Sequence, residues 1–175
     1  MVSADQLKQS QANADKESRG QAALVSSWVE SRNSWKVHVL NRSADPIPHV
    51  RVAFDAVLVT PGPPSPGAPS HVRYVLEERG LAPCTELVYT EKTLDPVVTE
   101  GLRNDALFDE KIGAVEVQYV VLVDRDGKTW RRTSNSLTPW EDDRDPEQGL
   151  PESPWHGQAR EPQVKHAAAC GEAEQ

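Results

Sequence analysis

Val115 to Arg132 spells a β-hairpin, turn included, and no other stretch narrows the fold of this chain as far. Apolar side chains recur at Val115, Val117, Tyr119, Val121 and Val123, with Glu116 and Gln118 between them, a period of two that sends alternate residues to opposite faces of a strand. Asp124-Arg125-Asp126-Gly127 then reverses the chain, because a leading aspartate and a closing glycine suit a type I turn whose last residue takes a positive φ. Trp130 opens the return strand. Val120 and Leu122 make the first strand apolar on both faces near its end, which predicts a place in the middle of a sheet.

The same period recurs upstream. Trp35, Val37 and Val39 share one face against Lys36 and His38, and His38 is expected to be solvated. Asn41-Arg42-Ser43-Ala44-Asp45-Pro46 breaks that strand through the turn preferences of asparagine, aspartate and proline. Val50, Val52, Phe54, Ala56 and Leu58 alternate with Arg51 and Asp55 in the next, and Val72, Tyr74 and Leu76 form another beyond the proline-rich segment Pro61 to Pro69. Leu87 to Tyr89 adds a short strand after Leu81-Ala82-Pro83-Cys84. Gln21 to Ser31 fits a helix passing into an edge strand, and Asp105 is placed to cap a short helical turn through Leu107 and Phe108. About seven strands joined by turns and loops predict an all-β fold, an antiparallel β-sandwich with its core around Trp35, Phe54, Tyr74 and Tyr119.

Composition sets the boundaries. Hydrophobic residues make up only 37% of the 175, beside fourteen prolines and ten glycines. Residues 141–175 hold nine acids against three bases, whereas 21–140 hold fifteen against thirteen, so the acidity belongs to the end of the chain. The division expected is a polar, mobile or helical segment over 1–20, a sandwich over 21–138, and an acidic, proline-rich, disordered tail over 139–175. A nearly neutral body lacks the cationic footprint that nucleic acid requires. Cys84 and Cys170 are too few for a disulfide framework, and with one in the body and the other in the tail no native bridge is expected. With no apolar run at the start and no membrane span, the expected location is the cytoplasm.

Trp35-Lys36-Val37-His38-Val39-Leu40-Asn41-Arg42-Ser43 followed by Pro46-Ile47-Pro48-His49-Val50-Arg51-Val52 resembles the strand, turn and next strand of small immunoglobulin-like bacterial domains. Leu81-Ala82-Pro83 and the spacing Asp124, Gly127, Trp130, Arg132 are similar to the matching elements of an uncharacterised group in high-GC Gram-positive bacteria, over about residues 21–137. The resemblance implies an immunoglobulin-like sandwich, in a setting that often follows a membrane span or helical region.

Catalytic and metal chemistry find little support in the residues. Asp124 and Asp126 before Gly127 evoke a calcium loop, but in that register the first ligand would be Leu122 and the closing glutamate Thr133. The five histidines and two cysteines lack zinc spacing, and nucleotide-binding and nucleophile-elbow motifs are absent, so no cofactor and no catalytic residue is expected. Asn41-Arg42-Ser43 matches a glycosylation sequon and reads as a turn. The expected role is a non-catalytic module that binds another protein, with a sugar-binding module or an enzyme with a dispersed site as alternatives. Candidate contacts are Pro61, Pro63, Pro64 and Pro66 of a pre-ordered loop, and Trp130 and Trp140 with Arg131 and Arg132 as an aromatic and guanidinium platform, against the stronger alternative of Trp130 as a core or edge packing residue with Arg132 bridging to a strand carboxylate.

Two outcomes follow from the sequence. The far-ultraviolet circular dichroism spectrum of fragment 21–138 should be dominated by β-structure, and a helix-dominated spectrum would contradict the fold. Deleting residues 141–175 should leave thermal stability unchanged, because such a segment buries little apolar area.

Overall fold

The structure, a computed structural model, describes residues 4–31, 34–59, 71–94, 111–141, 146–148, 150, 156–157, 160–167 and 170. The proline-rich loop, the turn expected at Asp105 and Trp155 lie outside the described residues. Helix α1 (Ala4–Ala23) leads into β1 (Val25–Glu30), β2 (Lys36–Asn41), β3 (His49–Val59), β4 (His71–Glu78) and β5 (Thr85–Thr90). A 3-10 turn at Glu91–Thr93 follows, then β6 (Lys111–Val123), β7 (Thr129–Arg132), β8 (Leu137–Pro139), β9 (His156–Gly157) and β10 (Gln163–His166). The strands form two sheets, β1-β2-β5-β10 and β8-β7-β6-β3-β4-β9. Every pairing is antiparallel except β4 with β9. The all-β reading holds, as does the passage from helix to edge strand. Among the described residues no helix is long and apolar enough to cross a membrane.

Alternation builds the interior. Val37 and Val39 of β2, Val50, Val52, Phe54 and Ala56 of β3, Val72, Tyr74 and Leu76 of β4, and Leu87 and Tyr89 of β5 bury into one cluster between the sheets. Phe54 stacks on Tyr74 with ring centroids 5.4 Å apart, and Trp35 meets Phe54 at 6.4 Å. The expected core is right except at Tyr119. Ala53 pairs with Tyr119 but Phe54 pairs with Val117, so β6 bulges at Gln118. An extra residue in one strand inverts the facing of everything beyond it. Val120 and Leu122 therefore enter the main core, while Tyr119 and Val121 turn outward to a second cluster with Ala53, Val75 and Leu150.

One end of the sandwich is held by polar contacts. Asn41 is wholly buried; its Nδ2 donates to the carbonyls of Asp45, Leu81 and Ala82, and its Oδ1 accepts from the backbone N–H and hydroxyl of Ser43. The sequon is thus a saturated turn. Gln21, near the end of α1, donates to Pro46 O at 3.4 Å and accepts from Arg125 N–H at 2.8 Å, joining the helix to two turns.

The described parts of residues 139–175 do not form the expected disordered tail. Trp140 N–H donates to Thr129 O, Glu147 reaches Arg73, and Leu150 packs on the outward cluster. Together these cover the middle of the outer face of the six-stranded sheet, where Ala53, Arg73 and Tyr119 are buried. Strand β9 then seals the β4 edge. A Cβ on Gly157 would overlap the Tyr74 ring beside it, so only glycine permits that approach. Strand β10 lies along β5 in the other sheet, and Cys170 forms a disulfide with Cys84 across 86 residues of sequence. The bridge was not expected because sequence distance conceals that β10 ends beside the start of β5.

This architecture reverses the deletion outcome. Removing residues 141–175 strips the Leu150 packing, the Glu147 contact and the bridge, a loss of roughly 2–3 kcal/mol. At about 2–4 °C per kcal/mol for a chain of this size, the melting temperature should fall by roughly 5–10 °C. Calorimetry showing an unchanged midpoint would contradict the wrap.

Candidate functional site

Strand geometry separates three of the residues expected to form a platform. In β7, Trp130 points into the main core and is 3% exposed. Its Nε1–H donates to Asp124 Oδ2 at 2.8 Å, while Asp124 Oδ1 accepts the backbone N–H groups of Asp126 and Lys128 at 3.0 and 2.8 Å. Gly127 closes this turn at φ 80° with its N–H on Asp124 O. The Asp124 carboxylate is thus engaged by hydrogen bonds of the hairpin itself, as the turn reading expects. Arg131, one residue on, faces the opposite side, with its guanidinium carbon 5.4 Å from the Tyr119 ring and 5.1 Å from the Trp140 ring. Among the described residues Arg132 makes no bridge to a carboxylate: its Nη2 donates to Ala22 O and Ala23 O, neutralising the last carbonyls of α1. Burial and the nearby Arg42 lower the Arg132 pKa.

The outer face of the four-stranded sheet carries a group that sequence reasoning passed over. Cross-strand register places Trp28, His38, Val88 and Gln163 in one row from β1 through β2 and β5 to β10. Trp28 is 41% exposed. Its ring lies over His38 at 4.7 Å and 4°, a stack that immobilises both aromatic planes. His38 is correspondingly buried, correcting the solvated reading, and its Nδ1 meets Glu86 Oε1 at 2.6 Å. With an ionised carboxylate as acceptor, Nδ1 carries the proton. The other ring nitrogen, Nε2, is buried and lies 3.5 Å from Glu30 Oε2. Lys36, 3.3 Å from the same carboxylate, holds the Glu30 carboxyl below the usual carboxylate range, with a smaller contribution from His38.

The arrangement presents one fixed indole face above a hydrogen-bonded imidazole. An His–Glu pair suits proton transfer only when the second ring nitrogen reaches a reacting atom. Enclosure of Nε2 denies that contact. Among the described residues no group of three or more histidine, cysteine, aspartate or glutamate side chains is arranged to hold a metal ion. The signal for this face was present but weak: Val25 and Val29 packing inward puts Trp28 outward once Gln21 to Ser31 is divided between helix and strand.

Because Asp124 accepts three hydrogen bonds, one of them from the buried Trp130 indole N–H, Asp124→Ala should cost about 3 kcal/mol. Asp126→Ala, on the exposed side of the turn, should stay within about 0.5 kcal/mol. Urea denaturation of both variants checks this, and equal effects would contradict the structural role of Asp124.

No protein-family model matches the chain, and neither does any curated protein or solved structure.

Proposed function

We propose that the chain is an immunoglobulin-like β-sandwich module, akin to the high-GC Gram-positive domains it resembles, that binds another protein without catalysing a reaction. Its strand order supports the fold part of this reading: the first, second and fifth strands share one sheet, and the third, fourth, sixth and seventh share the other. The observation that carries the function is Trp28, a large exposed ring stacked on His38 on the outer face of the four-stranded sheet. Rigid aromatic anchors bind with little loss of conformational entropy, which is why they concentrate binding energy at protein interfaces.

Charge and composition of the face support a protein partner over the alternatives. Glu30 and Glu86 stand with Lys36 and Lys165 on the same side, so the face has no cationic excess to attract nucleic acid. A sugar platform favours neighbouring exposed rings; of the described tryptophans, Trp35 and Trp130 are buried and Trp140 is half-buried. The disulfide favours an oxidising compartment, where such bonds persist, over the cytoplasm first expected.

Capture from extracts of the source cells tests the reading with immobilised full-length protein. A partner retained by the unaltered chain should be retained about tenfold less by Trp28→Thr, equivalent to about 1.4 kcal/mol. Threonine keeps strand propensity, so the melting temperature should fall by less than about 4 °C. Replacing residues 61–69 with a Gly-Ser connector measures the contribution of Pro61, Pro63, Pro64 and Pro66 in the same assay. Equal retention by the Trp28 variant would contradict binding through this face.

A further inference from the structure

We propose that the Cys84–Cys170 disulfide is a redox latch: closed, it fastens β10 over the edge of β5, and reduced, it lets β10 leave while the sandwich stays folded. The asymmetry of the attachment points there. All four side chains of β10 are exposed, including Val164 at 68%, so the strand brings nothing to the core. Among the described residues it is held by its ladder to Thr85–Val88, by Arg160 N–H on Thr93 O ahead of the strand and Ala167 N–H on Cys84 O behind it, both at 2.7 Å, and by the bridge. Short ladders without buried side chains open at low cost unless their ends are tied.

Cys84 supplies a second reason. Its φ of 55° makes it the one non-glycine residue at positive φ among the described residues, a conformation in which a β-carbon crowds the backbone. Opening the bridge frees this residue to relax, which favours release. By contrast, the residues that cover the six-stranded sheet use other anchors, Glu147 on Arg73 and Leu150 on the outward cluster, and do not depend on the bridge. The latch stands whether or not Trp28 marks a binding face.

The chemistry is thiol–disulfide exchange with a dithiol. One thiolate attacks a sulfur of the bridge to form a mixed disulfide, and the second displaces the protein sulfur. The dithiol is oxidised by two electrons, and Cys84 and Cys170 end as thiols carrying its two protons. Departure of β10 leaves the backbone groups on that side of β5 unpaired, an edge able to accept another strand.

Hydrogen exchange of the full chain, before and after dithiothreitol treatment with free thiols titrated, reads the latch. Segments 160–170 and 85–90 should exchange at least about tenfold faster once reduced, while 50–56 and 119–123 stay within about twofold. The Cys84→Ser, Cys170→Ser double variant should show the same pattern without reductant. Unchanged exchange over 160–170 with both thiols titrated would overturn the proposal. Faster exchange throughout, or a double variant that does not fold, would overturn it too, since the bridge would then support the whole domain.

Discussion

A guanidinium with 1% of its surface in water must be neutralised where it stands, and Arg73 sits in that position on the outer face of a β-sheet. Asp55, its cross-strand partner on β3, takes two hydrogen bonds in a forked pair at 2.7 and 2.8 Å. Glu147 takes a third at 3.2 Å from beyond the last strand of the hairpin region. Together these carboxylates raise the Arg73 pKa further above its ordinary value, Asp55 chiefly. A buried charge so placed is tolerable only if the covering segment is ordered, so the acidity of the chain's end is partly structural rather than only solvated.

From that constraint the asymmetry of the molecule follows. The six-stranded sheet is buried on its inner face by the main core and, over the middle of its outer face, by Tyr119, Val121, Leu150 and the Arg131 stack between two rings. Its β4 edge is paired with β9, and the β5 edge of the other sheet with β10, which removes two templates for unwanted strand addition. On the outer face of the four-stranded sheet His38 and Val88 are buried, while Trp28, stacked on His38, is 41% exposed. Covering one face and leaving an immobilised aromatic on the other is the arrangement from which the binding proposal is drawn.

Local pattern and long-range contact divided what could be read in advance. Val50, Val52, Phe54 and Ala56 announced β3 because β3 itself keeps a period of two, the extra residues of its ladder lying in β6, and Asp124 to Gly127 announced the hairpin because turn chemistry is local. Tyr119 misled because one extra residue at Gln118 reverses facing without changing the apolar pattern of β6. The C-terminal strands were hidden for a different reason. Gly157 is explained only by the Tyr74 ring, Glu147 only by Arg73, and Cys170 only by Cys84, each partner being distant in sequence. Trp28 and His38 likewise become a pair only through the β1–β2 register, while alternation alone was enough to separate Arg131 from Trp130 and Arg132.

The central claim is that the C-terminal segment is part of the folded domain. Backbone ¹⁵N relaxation of the oxidised full-length protein measures it at Leu150, Gly157 and Val164, residues drawn from each stage of the wrap. The account predicts order parameters near those of β3, about 0.85, at all three positions. Values below about 0.6 at these residues, with β3 rigid, would contradict it.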